Sequence, residues 1–133
     1  MKTMKKINLF FFGAGSIIND HIKAFKSQRN VCLYGILSRT PEKAIALKKK
    51  YKIKHVFKKF SEIHHEKNAI SVAIIGVPAQ STYQVCKGVF NLFNFCLVEK
   101  PGGYNYEESK KLYSLSKKKK LKSFCCFKSK VFF

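Results

Sequence analysis

Residues 7–18 read Ile-Asn-Leu-Phe-Phe-Phe-Gly-Ala-Gly-Ser-Ile-Ile, a nearly unbroken apolar run followed by two glycines and the start of a helical pattern. Such a run is typical of a strand buried on both faces of a parallel sheet. Gly13 and Gly15 match the first two positions of the pattern G-x-G-x-x-G. Gly13 permits a tight turn, and Gly15 lets a pyrophosphate approach the backbone and the first amides of the helix. The stretch predicts a strand, a dinucleotide-binding turn and a helix.

The helix after this turn has one unusual position. Ile18 stands at the third position of the pattern, where Gly or Ala normally allows close packing of helix on strand, so an outward displacement of the helix is expected. Ile18, His21, Ile22 and Phe25 share one face of it. A short glycine pattern is also compatible with a purely structural turn, but the strand before it and the helix after it favour binding.

Strand and helix patterns alternate along the rest of the chain. Apolar runs predict strands at 7–12, 31–37, 55–57, 70–76, 95–98 and 121–127. Helical patterns follow the first five strands, with Thr40 and Asn105 expected to cap two of the helices. The alternation predicts an α/β fold: a doubly wound parallel six-stranded sheet, Rossmann-like, in three αβα layers, with residues 1–133 forming one dinucleotide-binding domain.

The end of the second predicted strand bears on the choice of cofactor. NAD-binding sites carry an Asp or Glu here to hold the adenosine ribose hydroxyls, and this chain has Ser38, Arg39 and Thr40 instead. A guanidinium beside two hydroxyls suits a 2′-phosphate, so NADP is favoured over NAD. A solvated loop in which Thr40 only caps the next helix is the alternative interpretation.

Two more strand ends carry short motifs. Residues 76–78 (Gly-Val-Pro) follow the fourth strand, and residues 99–101 (Glu-Lys-Pro) follow the fifth. The carboxyl ends of parallel strands lie at one edge of a sheet, where open α/β sheets bind their ligands. The motifs are therefore expected to border the same crevice as the glycine turn.

In this order, the segments resemble the N-terminal domain of the glucose–fructose oxidoreductase/inositol dehydrogenase (Gfo/Idh/MocA) family. The resemblance is carried by residues 13–17, 38–44, 74–78 and 99–101. It implies NAD(P)-dependent hydride transfer at a sugar or polyol hydroxyl, with Lys100 catalytic beside the nicotinamide. A cationic donor in a desolvated crevice can stabilise a developing alkoxide. The cofactor-binding residues expected on these grounds are Gly13, Ala14, Gly15, Ser16, Ile17, Ser38, Arg39, Gly76, Val77, Pro78, Glu99 and Lys100.

The chain also departs from the family pattern. Thr82 and Ser71 stand where a histidine and an aspartate are common. Members of the family continue into an α+β domain that supplies the substrate pocket, further catalytic groups and the oligomer interface. That domain is expected to be absent here, so a truncated or split enzyme with little or no activity of its own is expected.

Charge and cysteine content limit the other function classes. The formal net charge is +20, yet Arg29 and Arg39 are the only arginines among the 27 basic residues. Lysine accompanied by many Phe, Ile and Asn residues, all with AT-rich codons, indicates solvated faces and not a specific nucleic-acid interface. Five cysteines with no CxxC pair fit reduced thiols and a cytoplasmic location. Neighbouring His64 and His65 are not expected to bind a metal, and no apolar run is long enough to span a membrane.

Two alternatives remain open from the sequence. The first is a non-catalytic, stand-alone nucleotide-binding module built on the same fold. The second is a lysine-rich nucleic-acid-binding protein, for which steeply salt-dependent binding of DNA or RNA would be the signature.

Overall fold

The computed structural model describes residues 3–126. Within them, six strands are connected by four α-helices and, between the third and fourth strands, where the sequence predicts a further helix, by a single turn of 3-10 helix. The strands are β1 (Lys6–Phe12), β2 (Val31–Leu37), β3 (His55–Phe57), β4 (Ala69–Ile75), β5 (Phe95–Glu99) and β6 (Lys122–Cys126). The helices are α1 (Ser16–Phe25), α2 (Pro41–Tyr51), α3 (Ala79–Val89) and α4 (Tyr106–Lys118), with one turn of 3-10 helix at Phe60–Glu62. The end of the predicted sixth strand, at residue 127, lies outside the described residues.

The strands form one parallel sheet in the order β3-β2-β1-β4-β5-β6. The chain first builds outward from β1 to β3 and then crosses back to β4 on the other side of β1. The carboxyl ends of β1 and β4 therefore flank the point where the strand order reverses, which is where doubly wound folds bind their ligands. This topology confirms the predicted fold class.

Both faces of the sheet are buried, as the apolar run of β1 predicts. Phe10 and Phe12 face a layer that includes α3 and α4, whereas Leu9 and Phe11 face α1 and α2. All four side chains are at most 3% exposed. Because helices cover both faces of the sheet, residues 9–12 of β1 are all apolar and do not alternate with polar ones.

Ile18 packs in this core and is fully buried. Its Cγ1 and Cδ1 atoms occupy the space in front of Gly76, where an added Cβ would lie 2.9 to 3.1 Å from them. The missing side chain at Gly76 thus makes room for the branched residue at the third position of the glycine pattern.

The two predicted helix caps have different outcomes. Asn105 caps α4 as predicted, because its Oδ1 accepts a hydrogen bond from the Glu108 amide at 3.0 Å. Thr40 is the cap residue of α2 as predicted, and its carbonyl accepts from the amides of Lys43 and Ala44, but its side chain makes no cap hydrogen bond. Its own amide instead donates to Ser38 Oγ at 3.1 Å, and this bond fixes the loop that follows β2.

A polar cluster centred on Glu66 lies near the amino ends of the strands, at the opposite edge from the glycine turn. Glu66 Oε2 accepts a hydrogen bond from Lys6 Nζ at 2.9 Å and another from the side-chain Nδ2 of the fully buried Asn8 at 3.1 Å. Lys54 Nζ lies 3.6 Å from the other carboxylate oxygen. The hydrogen bonds from Lys6 and Asn8 lower the pKa of Glu66 to about 2.

This lowered pKa predicts a pH-dependent contribution to stability. A carboxyl whose pKa is lower in the folded state stabilises the fold above its unfolded pKa, and the contribution disappears as the pH falls towards the folded value. Wild type is therefore expected to melt at a higher temperature than Glu66→Gln at pH 7, with the gap closing as the pH falls from about 4.5 to about 2. Thermal unfolding followed by circular dichroism across this range measures the gap. Asp20→Asn, which removes an exposed carboxylate on α1, controls for the change in net charge, and a pH-independent gap for Glu66→Gln would contradict the assignment.

Candidate functional site

An open cleft of about 360 Å³ lies at the carboxyl ends of β1, β2 and β4. It brings together most of the residues that the sequence predicts for cofactor binding. Its walls are formed by Gly13, Ala14, Gly15, Ser16, Ile17, Ser38, Arg39, Thr40, Lys43, Gly76, Val77, Pro78, Ser81 and Val85. Lys43, Ser81 and Val85 were not predicted for the site. Ser81 and Val85 lie inside a helical pattern and belong to no motif, whereas Lys43 belongs to the segment 38–44 but was not assigned a role in binding.

Gly13 holds the strands around the cleft in place. Its amide donates to the Leu37 carbonyl at 2.9 Å, and the Gly76 amide donates to the Phe12 carbonyl at the same distance. The turn after β1 is thus fastened to β2 on one side and to β4 on the other. Gly13 has φ +113°, and an added Cβ would collide with the carbonyl oxygen of Gly76. Only glycine fits this position without a shift of the backbone.

Gly15 opens the cleft towards the first turn of α1. It is the cap residue of that helix, with φ −85°, and its carbonyl accepts from the Asn19 amide at 3.1 Å. A Cβ added here would meet no atom within 4 Å, so its hydrogen atoms face open space. The first turn of α1 contains no acidic residue and Gly15 has no side chain to cap it. Its leading amides and the positive end of the helix dipole are therefore suited to an anion.

Two cations stand at the β2 side of the cleft. Arg39 lies in the loop after β2, Lys43 lies in the first turn of α2, and both side chains are exposed. Ser38 and Thr40 add hydroxyl groups to the same wall. Glu42, also in the first turn of α2, supplies one negative charge nearby but does not line the cleft. The wall can thus offer a phosphate a guanidinium, an ammonium and two hydroxyls.

Glu99 and Lys100 lie at the same edge of the sheet but do not line the cleft. Glu99 ends β5, the strand next to β4, and its side chain is 15% exposed. Its Oε1 lies 2.7 Å from Nε2 of His21, to which it is hydrogen-bonded. Lys100 is exposed and is joined to Pro101 by a cis peptide bond. The catalytic role of Lys100 stays a prediction.

The His21–Glu99 contact could not be found from the sequence pattern. His21 shares a helical face with Ile18 and Ile22, which predicts only that it points towards the core. Its side chain is 17% exposed and reaches a residue 78 positions away. The one feature of the sequence that could have indicated a polar partner was His21 itself, a polar residue on an otherwise apolar helix face.

The residues that depart from the family pattern make local contacts. Thr82 is buried in α3 and its hydroxyl donates to the Pro78 carbonyl at 3.3 Å. Ser71 Oγ lies 2.8 Å from Nδ1 of His65, to which it is hydrogen-bonded, and burial lowers the pKa of that histidine. Both positions thus serve the packing of the domain in this chain.

Residues 3–126 contain no cluster of metal ligands, and the Cys96 thiol is buried. No group of three or more His, Cys, Asp or Glu side chains gathers there as metal ligands would. Cys96 is a buried free thiol on β5, and burial raises its pKa to about 12, which leaves it protonated and unreactive. Over the same residues, no helix combines the length and the apolar character needed to cross a membrane.

The topology and the cleft define a dinucleotide-binding domain of the doubly wound class. Residues 7–126 match the oxidoreductase family with an NAD-binding Rossmann fold, Gfo/Idh/MocA, and the chain belongs to this family. This confirms the resemblance carried by the sequence motifs.

Solved structures share the fold at low sequence identity, and no curated protein matches the sequence. Apo scyllo-inositol dehydrogenase from Lactobacillus casei is 20% identical with a TM-score of 0.78, over 94% of this chain and 38% of its own. GenD2 from gentamicin A biosynthesis, in complex with NAD, is 15% identical with a TM-score of 0.79, and the match covers 94% of this chain and 35% of GenD2. A 3-ketoreductase from Actinomadura kijaniata, in complex with NADP, is 13% identical with a TM-score of 0.75, and the match covers 91% of this chain and 37% of the reductase. The chain thus spans little more than a third of these proteins.

Proposed function

We propose that this chain is the cofactor-binding part of an NAD(P)-dependent oxidoreductase that moves a hydride between nicotinamide and a hydroxyl-bearing carbon of a sugar or polyol. The observation that carries the proposal is the glycine turn. Gly15 presents backbone and open space at the start of a helix, at the point where the strand order reverses. A dinucleotide pyrophosphate needs such a surface.

The residues present fit a bound dinucleotide. The amides of Ser16 and Ile17 at the start of α1 would hold the pyrophosphate, with no acidic side chain in that turn to repel it. The backbone of residues 76–78, at the far wall of the cleft, would border the nicotinamide ribose. When bound, the nicotinamide supplies the hydride acceptor or donor of the reaction.

Lys100 is proposed as the catalytic residue. It follows β5 at the edge of the sheet that carries the cleft, and this position supports a role beside the nicotinamide site. There it would donate a hydrogen bond to the hydroxyl and stabilise negative charge that develops on the oxygen. The inositol dehydrogenase among the structural neighbours supports a polyol as the substrate class. A further part of the enzyme would complete the substrate pocket, in a cytoplasmic setting that suits the reduced thiols.

Titration of the purified chain with NADPH and NADH, followed by nicotinamide fluorescence, tests the proposal. Saturable binding of either nucleotide is expected. A chain that is folded by circular dichroism and binds neither nucleotide would overturn the proposal.

Substitution of Arg39 tests whether the chain prefers NADPH, which carries a 2′-phosphate, over NADH. We propose that NADPH binds more tightly than NADH because Arg39 and Lys43 face the adenosine end of the cleft. Arg39→Ala is expected to weaken NADPH binding about tenfold, the cost of one charge-assisted hydrogen bond, and to leave NADH binding unchanged. Arg29→Ala is the matched control, since Arg29 lies by a separate depression with Met4 and Lys6. Equal losses for both nucleotides in Arg39→Ala would contradict a 2′-phosphate contact.

A further inference from the structure

The His21–Glu99 hydrogen bond joins the two parts of the site that lie farthest apart in the sequence. His21 is on α1, the helix that begins at the glycine turn, and Glu99 directly precedes Lys100. The two atoms are 2.7 Å apart, and the side chains are 17% and 15% exposed. A hydrogen bond between an imidazole N–H and a largely buried carboxylate is stronger than one between neutral groups.

The bond constrains the end of β5 from outside the sheet. Lys100 is exposed and directly follows Glu99, the last residue of the strand, so the backbone position of Glu99 determines the backbone position of Lys100. The Glu99 side chain is held by a residue on α1 and not by its own strand or by α4. This hydrogen bond is therefore a direct connection between α1 and the residue next to Lys100.

We propose that His21 is a positioning residue: through Glu99 it couples occupation of the glycine turn to the placement of Lys100. The inference rests on the proposed function. It assigns to His21 and Glu99 a role other than direct contact with the cofactor, since neither side chain lines the cleft. An anion at the start of α1 fixes that helix, and the hydrogen bond passes this constraint to the strand end.

Three variants separate this role from simple packing. His21→Leu introduces an apolar side chain of similar size and removes the imidazole N–H that donates the hydrogen bond. His21→Gln restores an N–H at about the position of Nε2. Tyr51→Phe is the control, because it removes the 2.8 Å hydrogen bond from the Tyr51 hydroxyl to Asn19, a part-buried bond that ties the same helix to α2.

The first measurement is amide hydrogen exchange at Val98 and Glu99 without nucleotide. His21→Leu is expected to speed exchange about tenfold, which corresponds to loss of one hydrogen bond to a charged group. His21→Gln should restore slow exchange, and Tyr51→Phe should leave it unchanged. Unchanged exchange in a folded His21→Leu, or equal acceleration in Tyr51→Phe, would overturn the proposal.

The second measurement is trace acetylation of Lys100, read by peptide mass spectrometry, with NADPH at ten times the Kd of each variant. Wild type should show about tenfold protection of Lys100 relative to Lys52, and His21→Leu should lose most of it although the nucleotide is bound. Protection that persists in His21→Leu overturns the coupling alone. Wild type that binds NADPH without protecting Lys100 overturns the proposed role of Lys100, and the coupling with it.

Discussion

Gly13→Ala is expected to lower the free energy of unfolding by about 3 kcal/mol, a large part of the stability of a domain of this size. Two independent effects contribute. Gly13 has φ +113°, which a residue with a Cβ adopts only at a cost. The added methyl would also collide with the Gly76 carbonyl oxygen, in the turn where the Gly13 amide bonds to Leu37. Relief of the collision must separate β1 from β4 at the centre of the sheet.

Urea denaturation at 25 °C, followed by far-UV circular dichroism, measures the loss. Gly15→Ala is the matched control two residues away. Gly15 has φ −85° and open space around the added methyl, so the entropy lost from the unfolded chain and the poorer cap should largely offset each other, and this variant should lie within about 1 kcal/mol of wild type. A Gly13→Ala chain within 1 kcal/mol of the control would show that the turn is looser than its geometry indicates.

The fold could be predicted because its signals are local. β1, β2 and β4 are continuous apolar runs, and their length and spacing match a sheet buried on both faces. Even β3, only three residues long, was predicted with its observed bounds of His55–Phe57. Once the elements alternate, right-handed crossovers leave few sheet orders to choose from. The glycine turn and the two other β-strand ends that line the cleft then follow, since they share one edge of the sheet.

The parts that could not be predicted depend on tertiary distances. His21 and Glu99 are hydrogen-bonded across 78 positions, and nothing in the periodicity of α1 distinguishes a histidine with such a long-range partner from one that only packs in the core. Lys43 lines the cleft only because α2 begins beside the loop after β2. Thr40 has the right residue type and position for a cap, but its backbone at φ −111° and ψ 89° does not give the cap hydrogen bond. A one-dimensional pattern does not contain these dihedral angles.

Gly15→Val is expected to weaken dinucleotide binding at least about a hundredfold while the chain stays folded, the loss of about two charge-assisted hydrogen bonds. The reason is the direction in which position 15 faces. An added Cβ meets no atom within 4 Å, so we expect an isopropyl group to be tolerated by the fold and to occupy the space in front of the first amides of α1. A pyrophosphate can then no longer approach Ser16 and Ile17. A branched residue at a helix cap should cost no more than about 1 kcal/mol of stability.

Fluorescence titration with NADPH, paired with urea denaturation of the same samples, separates binding from folding. Gly15→Ala should fall between wild type and Gly15→Val in affinity, because its single methyl blocks less of the approach. Gly13→Ala, by contrast, should lose more stability than Gly15→Val, and its loss of binding should accompany that loss of stability. The two glycines of this turn should therefore respond in different ways: substitution of Gly13 should mainly lower stability, and substitution of Gly15 should mainly weaken binding. A folded Gly15→Val chain that binds NADPH as tightly as wild type would place the phosphates away from this turn and overturn the proposed function.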